Sequence, residues 1–284
     1  MTKYKEGIMR TIFLISACTS ILAVGLICLF LLINGIPAMA KIGVFNLLLG
    51  TNWKPNNTPP SYGIFPMLLG SFYVTAGAVV FGVPIGILTA VFMSCYCPKS
   101  LYRIFKPAVN LLAGIPSVVY GFFGLVVIVP FIRDNFGGSG SSMLAASILL
   151  GIMILPTIIS VSESAIRAVP HSYYEGGLAL GASHERSIFF AVLPAAKSGI
   201  MTSVVLGIGR AIGETMAVVM VAGNQARMPA GLLKGIRTLT ANIIIEMGYA
   251  AQFHREALIA TAVVLFVFIL IINLLLSLLK RRNS

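Results

Sequence analysis

The sequence contains very little charge: Asp, Glu, Lys and Arg supply only 10% of its 284 residues, while 58% are hydrophobic. A soluble domain of this length would carry about a quarter charged residues. The mean hydropathy of +0.97 points the same way. The composition therefore excludes a soluble globular domain and predicts an integral membrane protein.

The side chains that usually carry catalytic or metal chemistry are also scarce. The chain has four cysteines and three histidines, and none stands in a cluster with metal-ligand spacing. No G-x-x-x-x-G-K-S/T loop, which would cradle the phosphates of ATP, occurs in the sequence. We therefore predict no enzyme activity, no metal site and no bound cofactor on this chain. We interpret the cysteines as reduced, small apolar residues.

Six apolar runs are long enough to cross a bilayer, since about 20 residues rising ~1.5 Å each cover a hydrocarbon core of about 30 Å. We predict an all-α polytopic membrane protein, a single transmembrane domain over 1–284, with spans at residues 12–33, 67–93, 108–132, 143–161, 199–221 and 257–279. External loops are predicted at 34–66 and 222–256, and a cytoplasmic loop at 162–198. A signal peptide is the alternative for the first run, but its apolar core would be shorter, about 7–15 residues.

The positive charges favour a topology with both termini in the cytoplasm. Twelve of the 20 Lys and Arg residues fall in predicted cytoplasmic segments and seven in external ones, with Arg210 inside a span. Basic residues that flank apolar runs in this way set membrane orientation, so we do not expect a nucleic acid partner. The loop at 222–256 is still unusually basic. An anionic substrate arriving from outside would explain the excess, and so would ordinary pairing with Glu246, Glu256 or lipid phosphate.

The predicted cytoplasmic loop is the most polar part of the chain. Ser172 followed by Glu175 reads as a capping box that opens a helix, and Gly181 suits the left-handed end of that helix. Ser183 can cap a second helix, which Pro194 should close because proline lacks the N–H that continues a helix. The pattern predicts two short helices joined by a glycine elbow. The alternative is an ordinary amphipathic loop.

Arg210 and Glu214 place opposite charges inside the fifth predicted span. A spacing of four residues puts both on one helix face, close enough to pair. Because an Arg at membrane depth costs about 2.5–3.5 kcal/mol on insertion scales, we expect the pair to face a polar pathway rather than lipid. Arg210 would then offer its planar fork of donors to an oxyanion, with Glu214 holding the fork. A buried pair that only fixes helix packing is the alternative.

Four residues of the cytoplasmic loop resemble the EAA motif of ABC-importer permeases, E-A-A-x3-G-x9-I-x-L-P, and keep its spacing: Glu175, Gly181, Leu193 and Pro194. Gly176 and Gly177 replace the two alanines of the motif, and Ala191 replaces the isoleucine. Each glycine should loosen the first loop helix by roughly 0.8–1 kcal/mol. In that family the loop forms two coupling helices that sit in a groove of the cytoplasmic ATPase.

The whole chain is similar to one group within that family, the PstC-type permease subunits of phosphate ABC importers. The segments that carry the resemblance are W-K-P at 53–55, Y-G-I-F-P at 62–66, G-I-P-S-V-V-Y-G-F at 114–122 and R-A-I-G-E-T-M-A-V at 210–218. The resemblance implies the type I importer permease fold in a bacterial inner membrane. It also implies a PstA-like second permease, a PstB-like ATPase dimer that binds ATP, and a PstS-like phosphate-binding protein.

The expected function is therefore inward translocation of inorganic phosphate, driven by ATP hydrolysis in a partner subunit. The basic loop and Arg210 fit another oxyanion, such as molybdate or sulfate, equally well, and only the resemblance separates these cargoes. An ion-driven secondary transporter is a further alternative, although it would more often contain inverted repeats with broken helices. A membrane protein that senses phosphate without moving it is the last alternative.

Overall fold

The computed structural model describes the backbone of residues 2–282 and the side chains of 6–275, 277 and 278. Five residues of the charge count, Lys3, Lys5, Lys280, Arg281 and Arg282, therefore lie outside the described side chains. The helices are α1 (Thr2–Ile42), α2 (Val44–Leu49), α3 (Phe65–Val91), α4 (Lys99–Gly114), α5 (Ser117–Phe123), α6 (Val129–Phe136), α7 (Met143–Arg167), α8 (His171–Ala179), α9 (His184–Ser187), α10 (Leu193–Gly213), α11 (Met216–Val221), α12 (Leu239–Met247) and α13 (Gln252–Arg282).

Three π turns and one hairpin complete the described secondary structure. The π turns are π1 (Phe92–Tyr96), π2 (Gly124–Ile128) and π3 (Ile188–Val192). Strand β1 (Trp53–Lys54) pairs antiparallel with β2 (Ser61–Tyr62). We call the end of the bundle that carries α8 and α9 the loop end. The opposite end, with the β hairpin and α12, is the hairpin end.

Six helical stretches of the described chain are long and apolar enough to cross a membrane: Glu6–Ile42, Phe65–Tyr96, Ser117–Phe136, Met143–Arg167, His184–Gly213 and Gln252–Leu275. The predicted all-α class with six spans is confirmed. The side of the membrane that each terminus faces stays a prediction.

Breaks in the helix displace the third and fifth spans from their predicted bounds. The third was placed at 108–132, but the helix breaks at Ile115, whose ψ of 127° is extended. Pro116 follows, and a residue before proline is pushed out of the helical region by the proline ring. The fifth was placed at 199–221, whereas the helical stretch starts at His184 and ends at Gly213.

Pro194 does not close the second loop helix, so that prediction is wrong. It lies in the first turn of α10, directly after π3, and the helix continues through it. The N–H of Leu193 closes π3 by donating to the Ile188 carbonyl, five residues back. The wider turn lets the chain pass a residue that has no N–H and whose ring would otherwise strike the preceding turn.

Helix α7 lies at the centre of the bundle and packs closely against α3 through small residues. A Cβ at Gly77 would strike the Ser147 side chain, and one at Gly86 would lie 2.7 Å from Ile158 Cγ2. Glycines of α3 therefore permit close contact between the two helices. In a membrane such packing replaces the hydrophobic drive that water supplies elsewhere. Helix α1, by contrast, is mostly exposed and packs mainly against α13.

Replacing Gly82 by Val should weaken the contact between α3 and α7. A Cβ at this position would lie 2.8 Å from the Gly151 carbonyl oxygen and 2.7 Å from Ile154 Cδ1. We expect a loss of about 1–3 kcal/mol, the usual cost of overpacking. The measurement is the temperature at which the detergent-solubilised protein aggregates. Gly25→Val is the matched control, since nothing lies within 4 Å of its Cβ position. Equal temperatures for both variants would contradict the close contact.

Candidate functional site

The fifth span is interrupted between α10 and α11. Helix α10 ends at Gly213, and Glu214 turns to an extended conformation with a ψ of 136°. Thr215, with φ of −126° and ψ of −60°, then leads into α11. A break of this kind within an apolar stretch frees backbone N–H and C=O groups, which need partners inside the protein because lipid offers none.

The Glu214 carboxylate caps the second half of the broken span. Its Oε1 accepts hydrogen bonds from the backbone N–H groups of Thr215 at 3.0 Å and Ala217 at 3.3 Å. The Glu214 carbonyl accepts from the Thr240 hydroxyl at 3.0 Å. Ser71, Thr75 and Thr238 join Glu214 and Thr240 around a cavity of about 10 Å³. Both the side chain and the backbone of Glu214 therefore serve the freed groups of the break.

Arg210 and Glu214 do not pair, so that part of the prediction is wrong. No ion pair within 4.0 Å joins them among the described side chains, because the helix ends between them and Glu214 points toward α11. Arg210 instead donates from Nη1 to the Thr157 hydroxyl of α7 at 3.1 Å. Arg210 is half-buried, and its one hydrogen-bond partner among the described residues, Thr157, is neutral. A guanidinium has five N–H donors, so most of its capacity to bind an anion is uncommitted.

The loop at residues 162–198 contains the predicted elbow but not the predicted capping box. Gly181 has a φ of +82°, the left-handed conformation that glycine adopts at little cost. The Ser183 hydroxyl accepts from the Arg186 N–H at 3.3 Å, which confirms the second cap. Ser172 makes no such bond, because α8 already begins at His171. Glu175 lies 3.0 Å from His171 Nδ1 instead, and both side chains are exposed.

The two loop helices are held against each other at Gly177. A Cβ there would lie 2.6 Å from Ser187 Oγ and 3.0 Å from Ser187 Cβ, whereas a Cβ at Gly176 would meet nothing within 4 Å. Tyr174 Oη and His184 Nδ1 add a hydrogen bond of 2.8 Å. Of the two glycines that replace alanines, Gly177 therefore permits a close approach, while Gly176 remains a site of weak helix propensity.

The remaining residues of the motif anchor the loop to the spans. Leu193 is half-buried and packs with Ile188 and Ile166, and Pro194 is exposed at the start of α10. At the elbow Leu180 is 91% exposed, and Tyr173 and Phe190 are also largely exposed. Leu180 and Tyr173 therefore present apolar surface outside the six apolar stretches.

Glu163 is a central residue that the sequence prediction missed. Only 1% exposed, its carboxylate accepts from Tyr102 Oη at 2.6 Å and from Lys106 Nζ at 2.6 Å. Arg167 Nε lies 3.0 Å away. The hydrogen bond to this carboxylate raises the pKa of Tyr102. The sequence did contain a signal for this ion pair, because Glu163 stands four residues before Arg167 at the end of an apolar run.

At the hairpin end, part of the basic excess is explained by pairing. Arg237 Nη1 lies 2.6 Å from Glu246 Oε1, while Trp53 Nε1 and His254 Nε2 share Oε2 of the same buried carboxylate. Lys41 pairs with Glu256 at 3.0 Å. Three other basic residues of the 222–256 loop form no ion pair among the described side chains: Arg227, Lys234 and Arg255. No group of three or more potential metal ligands occurs in the described part of the chain.

The fold is shared with chains of two solved ABC transporters. It superposes on a chain of the bacterial alginate ABC transporter, solved with an alginate pentasaccharide-bound periplasmic protein, with a TM-score of 0.66 at 17% identity over 98% of this chain and 96% of that one. A chain of the inward-facing MetNI methionine ABC transporter gives 0.61 at 21% identity over 78% and 97%. Identities this low establish the shared fold alone.

Residues 82–284 match the model of the binding-protein-dependent transport system inner membrane component family, and the chain belongs to that family. It is 40% identical to a probable ABC transporter permease, YqgH, of Bacillus subtilis, over 93% of this chain and 89% of the relative. The phosphate transport permease PstC of Mesorhizobium japonicum is 33% identical over 83% and 77%. A probable PstC of Methanocaldococcus jannaschii is 30% identical over 87% and 84%. The chain is thus a multi-pass inner-membrane transport subunit.

Gly177→Val should separate the two loop helices, because the side chain would occupy the space of Ser187. We expect increased proteolysis at residues 178–183, with about 1–3 kcal/mol of local stability lost to overpacking. Limited proteolysis of membranes that contain the assembled transporter measures this. Gly176→Ala is the matched control and should protect the loop slightly, by up to about 1 kcal/mol of helix propensity. Equal cleavage of the two variants would refute the close approach at Gly177.

Proposed function

We propose that this chain is the PstC-like permease subunit of an ATP-driven importer that translocates inorganic phosphate across the cytoplasmic membrane. The observation that carries the proposal is the uncommitted guanidinium of Arg210 within the fifth apolar stretch, in a chain whose relatives include several phosphate transport permeases. The most similar relative named above is described only as a probable permease. The identity of the cargo therefore depends on the PstC relatives and on the chemistry of Arg210.

Arg210 suits a tetrahedral oxyanion for three reasons. Its planar fork can donate two parallel hydrogen bonds to adjacent anion oxygens. Its neighbour Thr157 positions the fork without neutralising it. The half-buried setting reduces solvent screening, so that its attraction for an anion exceeds the attraction of a surface Arg. Glu214 contributes by shaping the break rather than by holding the Arg.

The proposed assembly pairs this chain with a PstA-like permease in the membrane lipid. A PstB-like ATPase dimer binds ATP and receives the coupling loop, with Glu175, Gly181, Leu193 and Pro194 as its framework. A PstS-like binding protein delivers phosphate at the hairpin end. Support comes from the exposed apolar tip at Leu180 and from the close contact of α8 with Ser187. Closure of the ATPases would shift the two loop helices together and tilt the spans.

Arg210→Ala should abolish phosphate uptake while the complex still assembles, because the mutation removes the anion-binding fork and leaves no charge to bury. The measurement is uptake of labelled phosphate by proteoliposomes that contain the complete complex. We expect at least about a hundredfold loss, in the range found when a buried charged partner is removed. Lys197→Ala is the control, since Lys197 is exposed. Normal uptake by the Arg210 variant would refute the proposed pathway.

Competition experiments on the unaltered complex distinguish the cargoes. Excess unlabelled phosphate should suppress uptake, while sulfate and molybdate should not. Suppression by molybdate or sulfate at equal concentration would transfer the proposal to another oxyanion. Uptake that follows an ion gradient without ATP would instead support a secondary transporter, and the absence of any uptake despite binding would favour a sensor.

Gly181→Val should uncouple the ATPase from transport, because a β-branched residue adopts a φ near +82° only at a substantial cost. The readout is phosphate-stimulated ATP hydrolysis by the reconstituted complex. Gly181→Asn is the matched control, since Asn tolerates the left-handed conformation and should keep most of the coupling. Full coupling in the Val variant would show that the elbow is dispensable.

A further inference from the structure

Helix α4 has a basic face that the proposed pathway does not yet include. Lys99, Arg103, Lys106 and Asn110 recur at spacings of four, three and four residues, which place them on one side of the helix. Lys106 pairs with Glu163, a carboxylate that Arg167 shares. Lys99 and Arg103 are exposed, and neither forms an ion pair among the described side chains. This face therefore offers two uncompensated positive charges.

Contacts on the other sides of α4 fix where the basic face points. Val109 packs with Ile159 of α7, and Phe105 stacks edge-on against Phe92 of π1 at 6.2 Å between ring centroids. At about 100° per residue, Lys99 and Arg103 lie roughly 120–160° around the helix from Phe105. The basic face is consequently turned away from π1, on the far side of the contact with α7.

Helix α7 presents a row of hydroxyl groups on the same side. Thr157, Ser160 and Ser164 follow one another at spacings of three and four residues and share a face. That row is distinct from the Ile159 and Glu163 side that meets α4, and none of the three residues is fully buried. Ile158 marks the opposite side, where it packs against Gly86 and Gly207. The hydroxyl row and the basic face of α4 therefore lie on one side of the contact between α4 and α7. We call the strip of surface between them the cleft.

The cleft leads from Arg210 toward the loop end. Thr157 holds Arg210 at its inner end, and Ser164 lies seven residues, or about 10 Å, further along α7. Lys99 and Arg103 flank its mouth, because α4 starts just after π1 at the loop end of the second span. The hydroxyl-bearing residues line the cleft, where the Ser164 hydroxyl donates to the Ser160 carbonyl at 2.9 Å, and two cations stand at its loop end. The carboxylate of Glu163 is turned to Tyr102 and Lys106 instead.

We propose that Lys99 and Arg103 form a second oxyanion-binding position at the loop-end mouth of this cleft. This position rests on the proposed function, since it receives the phosphate that Arg210 releases. Two exposed cations attract an anion along the hydroxyl row, and because they are solvated they hold it weakly enough for release. The phosphate group of an anionic lipid has the same chemistry, so the experiments separate free phosphate from lipid.

The first experiment tests the electrostatics of the cleft without depending on transport. In the assembled complex the four cysteines are replaced by serine and Ser164 by cysteine, which is then labelled with an anionic and with a cationic thiol reagent. The anionic reagent should react faster at low salt. Lys99→Gln with Arg103→Gln should lower the anionic-to-cationic rate ratio about tenfold, as expected for two unit charges about 10 Å away. Lys54→Gln, an exposed lysine at the hairpin end, should leave it unchanged. An unchanged ratio in the double variant would overturn the proposal.

The second experiment measures phosphate uptake by the complete complex in vesicles of phosphatidylcholine alone or mixed with phosphatidylglycerol. The double glutamine variant should slow uptake about three- to tenfold in both membranes, and Lys99→Arg with Arg103→Lys should restore it. A defect confined to the phosphatidylglycerol vesicles would assign the two cations to lipid and refute the proposal. If the unaltered complex moves no phosphate, the proposed cargo fails, whereas the labelling ratio still decides whether the cleft attracts anions.

Discussion

The break in the fifth span depends on hydrogen bonds that satisfy its freed backbone groups. Lipid supplies no partners, so every N–H and C=O released between α10 and α11 must be met within the protein. The Glu214 carboxylate meets two N–H groups, and the Thr240 hydroxyl meets one carbonyl. Because these partners come from the break itself and from the hairpin end, the interruption links the middle of the membrane to the loops on one side.

The sequence was sufficient for the fold and for part of the site. Length and hydropathy predicted six spans, and the positive φ of Gly181 and the cap at Ser183 follow from local residue preferences. Arg210 could be singled out because a charge at membrane depth requires a reason. Its partner Thr157 could not be predicted. A spacing of i, i+4 predicts a pair with Glu214 only if the helix continues, and the break at Glu214 leaves the apolar pattern unchanged.

Tertiary contacts account for the other differences. Pro194 was expected to end a helix, but the wider turn π3 before it lets the helix continue through a residue without an N–H. A π turn has no clear signature in a single sequence. Thr157 and Glu163 are ordinary polar residues of an apolar run until their partners on α10 and α4 are known. The glycines at 176 and 177 look equivalent in the sequence, and only Ser187 distinguishes them.

The exposed side chain of Leu180 bears on how the protein is made in the cell. A leucine that is 91% exposed at the tip of an elbow is a recognition feature for chaperones and proteases as long as nothing covers it. A subunit synthesised without its partners would therefore be short-lived, because a transient apolar surface feeds aggregation and degradation. If the ATPase proposed above covers Leu180, cellular levels of the chain would follow the supply of that ATPase, which would keep the subunits in balanced numbers without separate control of their synthesis.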